Sequence, residues 1–236
     1  MPRVQWKEEN RRYALCFFPL IGGVIGGIIY LLSFMCRYLG MTNIFFAALA
    51  VAVPFFVTGG IHFDGFMDVC DAMACMGDRE KRISVMKDSD IGAFAALHLG
   101  IYLLLQVACL YQIESEKFIL MTTGCFVVSR AFSALAAVTF KGATGKGSLT
   151  NFSEPAHKTA TIITELLYLI IVFAGMLYVD LKIGAGCILA AIMSFVYYRI
   201  FSYKSFGGIT GDLAGYFLQL CELSQLVLIA VMCKLV

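Results

Sequence analysis

Seven stretches of this chain, roughly 14–36, 43–61, 93–112, 118–139, 160–179, 183–201 and 211–233, stay apolar for the length that crosses a bilayer. A hydrocarbon core of about 30 Å takes about 20 helical residues. No water bonds the backbone inside lipid, so spanning segments must be helices or a closed barrel. Uninterrupted runs of this length select helices. The expected fold is therefore all-α: a polytopic bundle of about seven transmembrane spans in a single membrane domain over 1–236. Composition agrees, since 14% of the residues are charged against roughly 25% in soluble proteins.

The connections carry the next constraint. Those at 37–42, 113–117 and 180–182 are short, whereas those at 62–92, 140–159 and 202–210 are longer and polar. The N-terminal segment and the longer loops, with Arg199 at the adjoining span end, hold thirteen basic residues, among them Arg11, Arg12, Arg79, Arg82, Lys141 and Lys204. The other side holds only Arg37, Lys117, Lys182 and Lys234, and Arg130 sits inside a span. This bias predicts a cytoplasmic N-terminus with every long loop on the cytoplasmic face. The polar start, MPRVQWKEENRRY, precedes an apolar run longer than a signal-peptide core of about 7–15 residues, so no cleaved leader is expected.

Several functions are excluded early. A net charge of +2 without a basic block offers nothing for a nucleic-acid backbone. Most of the nine cysteines lie within apolar runs, as small buried hydrophobes do, and not in a disulfide or zinc pattern. Gly22, Gly23, Gly26 and Gly27 make small-xxx-small spacings, which serve either packing within the chain or self-association into a homo-oligomer.

The chemistry concentrates in TGGIHFDGFMDVCDAM, residues 58–73. Asp64, Asp68 and Asp71 stand at i, i+4 and i+7, which on a helix is one face within two turns. Three stacked carboxylates repel one another, so packing does not reward the pattern. A divalent cation does: Mg²⁺ takes one or two carboxylates together with substrate phosphates. His62, beside this row, is a candidate base, and Gly59, Gly60 and Gly65 allow a close approach of ligand. In MKDSDIGAF, residues 86–94, Lys87 and Ser89 are candidate phosphate ligands and Asp88 a further metal ligand. Lys87 equally fits the positive-inside bias, and Ser89 a helix cap. In SFGGITGDLAG, residues 205–215, Gly208, Thr210 and Gly211 form a turn at a helix N-terminus, where free N–H groups hold anions. Asp212 beside them is a metal ligand or a cap. Deeper, Arg130 either binds a phosphate or neutralises Glu222, a carboxylate too costly to leave unpaired in lipid. KGATGKGS, 141–148, lacks P-loop spacing. Acids, cations and glycine turns on one face describe metal-assisted phosphoryl transfer at a membrane surface. A cation transporter is the rival reading, but it would spread its ionisable groups towards the midplane of several helices.

FFPLIGGVIG (17–26), TGGIHFDGFMDVCDA (58–72), MKDSDIGAFA (86–95), VSRA (128–131) and FGGITGDLAG (206–215) occur in this order. In these segments the chain resembles the cobalamin synthase family, the adenosylcobinamide-GDP ribazoletransferases. The resemblance implies a Mg²⁺-dependent enzyme of the prokaryotic cytoplasmic membrane. α-Ribazole, or its 5′-phosphate, attacks the cobinamide-linked phosphorus of adenosylcobinamide-GDP through a ribose hydroxyl, and GMP leaves. It also implies that Asp64, Asp68 and Asp71 bind metal with support from Asp88 and Asp212, while Lys87, Arg130 and the 207–211 turn hold phosphates. The acidic segment is distantly similar to that of CDP-alcohol phosphotransferases, which leaves such an activity as the alternative. Two departures are visible. The family usually carries a short Thr-Arg-x-Pro segment before the Met-Pro at which this sequence starts, and often a pair of glutamates in the last span, where this chain has Gln219 and Glu222.

Overall fold

The computed structural model describes residues 11–88, 90–144 and 147–235. A 3₁₀ turn, Ala14–Phe17, leads into α1 (Phe18–Tyr38). Then follow α2 (Asn43–Thr58), α3 (Ile61–Ala74), α4 (Arg79–Val85), α5 (Ala93–Gln112) and α6 (Glu116–Thr139). The chain continues through α7 (Ser148–Ser153), α8 (Lys158–Val179), α9 (Leu181–Phe206) and α10 (Gly211–Met232). Six of these helices are long and apolar enough to cross a membrane, each beginning and ending within a few residues of the segments expected from hydropathy. Among the described residues the fold is all-α; the sole β feature is an isolated bridge between Gly142 and Ile209.

The second expected span, 43–61, is α2, which ends at Thr58. What the sequence did not show is that α3 forms directly after it and departs at 96°. Gly59 and Gly60 both adopt left-handed backbone, with φ 67° and 80°. Two such residues in succession end one helix and start the next, and only glycine takes them without strain. α2 alone, at 16 residues, measures about 24 Å. The turn sends the acidic α3 over the bundle instead of onward through it.

α6 is the central helix, the most buried of the six. Its small residues, such as Ser129, Ala131, Ser133, Ala134 and Ala136, are all buried and let α1, α8 and α10 close around it. Gly22 and Gly26 of α1 sit directly against the α6 backbone at Phe126 and Thr123, while Gly23 and Gly27 face open space. One of the two glycine rows therefore packs within the chain.

The two ends of the bundle differ as the loop lengths foretold. At the short-loop end Arg37 meets Glu116 at 3.4 Å, Lys234 meets Glu114 at 3.6 Å and Lys117 meets Asp180 at 3.9 Å. These exposed pairs hold the turns together at little net energy. At the other end the long connections knit to one another. Ile209 N–H donates to Lys141 O and Ala143 N–H to Ile209 O, both at 2.9 Å, and Lys141 N–H donates to the Tyr203 hydroxyl at 2.7 Å. The N-terminal segment joins this end through His157 N–H to Arg12 O at 2.9 Å.

Candidate active site at one end of the bundle

α3 crosses the end of the bundle at which α1, α5 and α10 begin. Its two faces have opposite character. His62, Phe63, Gly65, Phe66, Val69 and Cys70 are buried, whereas Asp64 is exposed and Asp68 and Asp71 are partly so. At roughly 100° per residue the three aspartates lie within one narrow stripe and His62 lies about 200° from Asp64. The expected carboxylate row is there. His62 is not beside it: its ring points into the bundle, edge-on to Phe18 at 6.1 Å. As a base facing substrate His62 is therefore misplaced, because two residues along a helix is half a turn.

Asp212, far away in sequence, joins the row because of two glycines. A Cβ on Gly65 would stand 2.8 Å from the Asp212 Cα and carbonyl oxygen, and one on Gly215 would stand 3.0 Å from His62 O. α3 and α10 thus touch backbone to backbone, as only small residues permit. Gly65 serves the approach of a helix, not of a ligand as expected from sequence. The charges bearing on Asp68 are those of Asp64, Asp212 and Asp71, in that order.

Asp71 has a second duty. Its Oδ2 accepts the Gly92 N–H at 2.6 Å and its Oδ1 the Ala95 N–H at 2.8 Å. Those amides belong to the start of α5, whose first turn has donors without helical partners, and the N-terminal end of the helix dipole favours the carboxylate. Asp71 is thus a helix cap supplied from another helix, and Gly92 leaves the room its carboxylate occupies.

The glycine turn is also largely occupied by protein. Gly208 N–H donates to Ser202 O at 3.2 Å, and the Thr210 hydroxyl caps α10 by accepting Leu213 N–H at 3.2 Å. Gly211 is the first residue of α10. Arg79, which counted only as a loop cation in the sequence, lies against Gly207 and donates to Ala143 O at 3.1 Å. It bridges α4 to the two loops that frame the site; only the left-handed Gly207, φ 74°, makes room for its guanidinium. Lys87 and Asp88 flank an open hollow with Glu80 and Ser84, and Asp88 Oδ1 accepts the Asp90 amide at 3.2 Å. Ser89 lies outside the described residues.

Arg130 is 1% exposed. Its Nη1 donates to Glu222 Oε1 at 2.6 Å and to Phe126 O at 3.0 Å, and the Ser129 hydroxyl donates to the same carboxylate oxygen at 2.7 Å. Of the two roles open to Arg130 from sequence, this geometry supplies the partner for a buried acid. A phosphate at the surface would not reach it.

Among the described residues no three His, Cys, Asp or Glu side chains stand in an arrangement that holds a metal unaided. The donors at the row's open face, Asp64, Asp68 and Asp212, are all hard carboxylate oxygens. That set fits Mg²⁺, which completes an octahedron with water and substrate phosphates and seldom uses an all-protein cage.

Fold and site together define a polytopic helical membrane protein with a cluster of carboxylates at one end. The family described as cobalamin-5-phosphate synthase, CobS, matches residues 1–230. A protein of Lachnoclostridium phytofermentans named adenosylcobinamide-GDP ribazoletransferase is 41% identical over 223 residues, covering 94% of this chain and 85% of its own length. Proteins of that name from Clostridium botulinum and Acinetobacter baumannii are 31% and 30% identical, covering 94% and 91% of this chain and 88% and 84% of their own. No solved structure matches. The chain belongs to the cobalamin-5-phosphate synthase family.

Proposed function

We propose that this protein is an adenosylcobinamide-GDP ribazoletransferase, joining α-ribazole or its 5′-phosphate to adenosylcobinamide-GDP with release of GMP. The observation that carries the reading is the meeting of Asp64, Asp68 and Asp212 across the Gly65 contact. Nothing in packing repays such crowding, and two substrates joined through phosphate with a divalent cation relieve it. The family and its relatives supply the substrates.

Asp64 and Asp68 are assigned to Mg²⁺ with Asp212 opposite them. When bound, the metal neutralises charge on the phosphate oxygens. Asp64, the most exposed of the row, also accepts the proton of the attacking hydroxyl, a task His62 is not positioned for. Arg79 and Lys87, two of the exposed cations at this end, attract the donor's phosphates. Arg130 and Asp71 support the scaffold, one by neutralising Glu222 and the other by capping α5. The basic bias of the long loops supports a cytoplasmic orientation of the site, with the protein in the cytoplasmic membrane.

The test uses purified protein in phospholipid nanodiscs with Mg²⁺, adenosylcobinamide-GDP and α-ribazole. Stoichiometric GMP release with formation of the cobamide is expected, stopped by EDTA and restored by added Mg²⁺. Folded protein that releases no GMP would refute the reading. Release of CMP from CDP-linked alcohols instead would transfer the chain to the CDP-alcohol chemistry.

A further inference from the structure

A groove of about 640 Å³ opens between α2, α3 and α5. Val51, Ala52, Phe55, Phe63, Leu99 and Leu103 are among the residues that line it, and so is Asp64. The lining is apolar and aromatic apart from that carboxylate and the backbone of the Gly59–Gly60 turn. The groove is thus continuous with the acidic site yet built for an apolar guest. It exists because of the turn: α3 leaves α2 at 96°, so the two helices cannot close on each other and α5 fills only one side.

We propose that this groove receives the aromatic base of the acceptor nucleoside, so that the ribose emerges at Asp64. The proposal rests on the ribazoletransferase reading and adds to it the subsite of the acceptor. α-Ribazole carries a dimethylated bicyclic aromatic base on a hydroxylated sugar. Apolar at one end and hydroxyl-bearing at the other, it has the polarity of the groove in the same order. The size agrees, since clefts of roughly 300–1,000 Å³ hold molecules of this class. The corrinoid macrocycle is far too bulky to enter between two helices. The aromatic rings in the lining favour a flat base over an acyl chain, and Asp64 accepts a hydrogen bond from the sugar hydroxyl. Phe55 and Phe63, with ring centroids 6.3 Å apart and tilted by 54°, offer the faces and edges on which an aromatic base packs.

The test is steady-state kinetics in nanodiscs, varying each substrate in turn. Ala52→Leu, which adds bulk to the lining with a residue α2 tolerates in lipid, is expected to raise KM for α-ribazole roughly tenfold or more. KM for adenosylcobinamide-GDP is expected to stay unchanged. Leu99→Ala, which removes bulk from the lining, is expected to shift preference towards nucleosides with a larger, tricyclic base. Binding of tritiated α-ribazole to the same nanodiscs examines the groove without turnover. Binding that weakens in Ala52→Leu supports the subsite even if no GMP is released, and that second failure would count against the transferase reading alone. Unchanged acceptor KM and binding in both variants would overturn the proposal. So would a rise in donor KM only, or activity that follows acyl-chain length in wild type and loses that dependence in Ala52→Leu with acceptor KM unmoved, which marks a lipid site.

Discussion

The carboxylates of α3 and the carboxylate of Glu222 are the same chemical group in two opposite conditions. Glu222 is 3% exposed and accepts both a guanidinium and a hydroxyl. Its charge is cancelled by Arg130 one helix away. Asp212 accepts the Thr210 hydroxyl at 3.4 Å, and the charges that bear on Asp68 are those of Asp64, Asp212 and Asp71, with no cation among them. Glu222 is neutralised within the bundle, whereas Glu165 in α8, 0% exposed, has no hydrogen-bond partner on either carboxylate oxygen among the described residues. Burying Glu222 and crowding the acid row are both costly in isolation. The first is repaid inside the protein, the second by a ligand from outside. The contrast that matters for the proposed site is between the acid row at the bundle end and the paired Glu222 within the frame.

Four substitutions would break or sharpen this contrast. Asp64→Asn should have the largest effect: GMP release lost, with thermal unfolding in detergent unchanged or slightly raised by relief of repulsion. Retained turnover would take Asp64 out of the site. Glu222→Ala leaves Arg130 buried and unpaired and should lower stability by about 3–5 kcal/mol, whereas replacing both members by Met should recover most of that loss. A comparison of unfolding midpoints checks it; a double variant as unstable as the single would mean the pair does more than neutralise itself. Gly65→Ala places a methyl group against the Asp212 backbone, 2.8 Å away. It should cost about 1–3 kcal/mol and reduce turnover more than stability alone explains, since α3 must move from Asp212. Asp71→Asn should be the mildest, about 1 kcal/mol from a weakened α5 cap. Its Mg²⁺ titration of activity should match wild type; a large shift would return Asp71 to the metal.

Much of this was legible from residue spacing. Six apolar helices follow directly from run length, because lipid forces each segment to satisfy its own backbone. The i, i+4, i+7 stripe of Asp64, Asp68 and Asp71 follows from helical periodicity alone. The same periodicity already placed His62 about half a turn away, a consequence that proximity in sequence hid. Arg79 counted only as a loop cation in the sequence because its partners, Gly207 and Ala143, come from two other loops.

Local sequence determined what depends on a chain's relation to its solvent and to its own next turn: the spans, the acid stripe and the double glycine at 59–60. Tertiary structure decided everything that needs two distant segments at one point. It turned α3 away from the second span, brought Asp212 to Asp68 through Gly65 and Gly215, spent Asp71 on the first turn of α5 and gave Arg130 to Glu222. Short-range periodicity carries no information about which helix faces which. That choice is made by backbone approach at small residues and by the cost of a bare charge in lipid, and both are properties of pairs of segments.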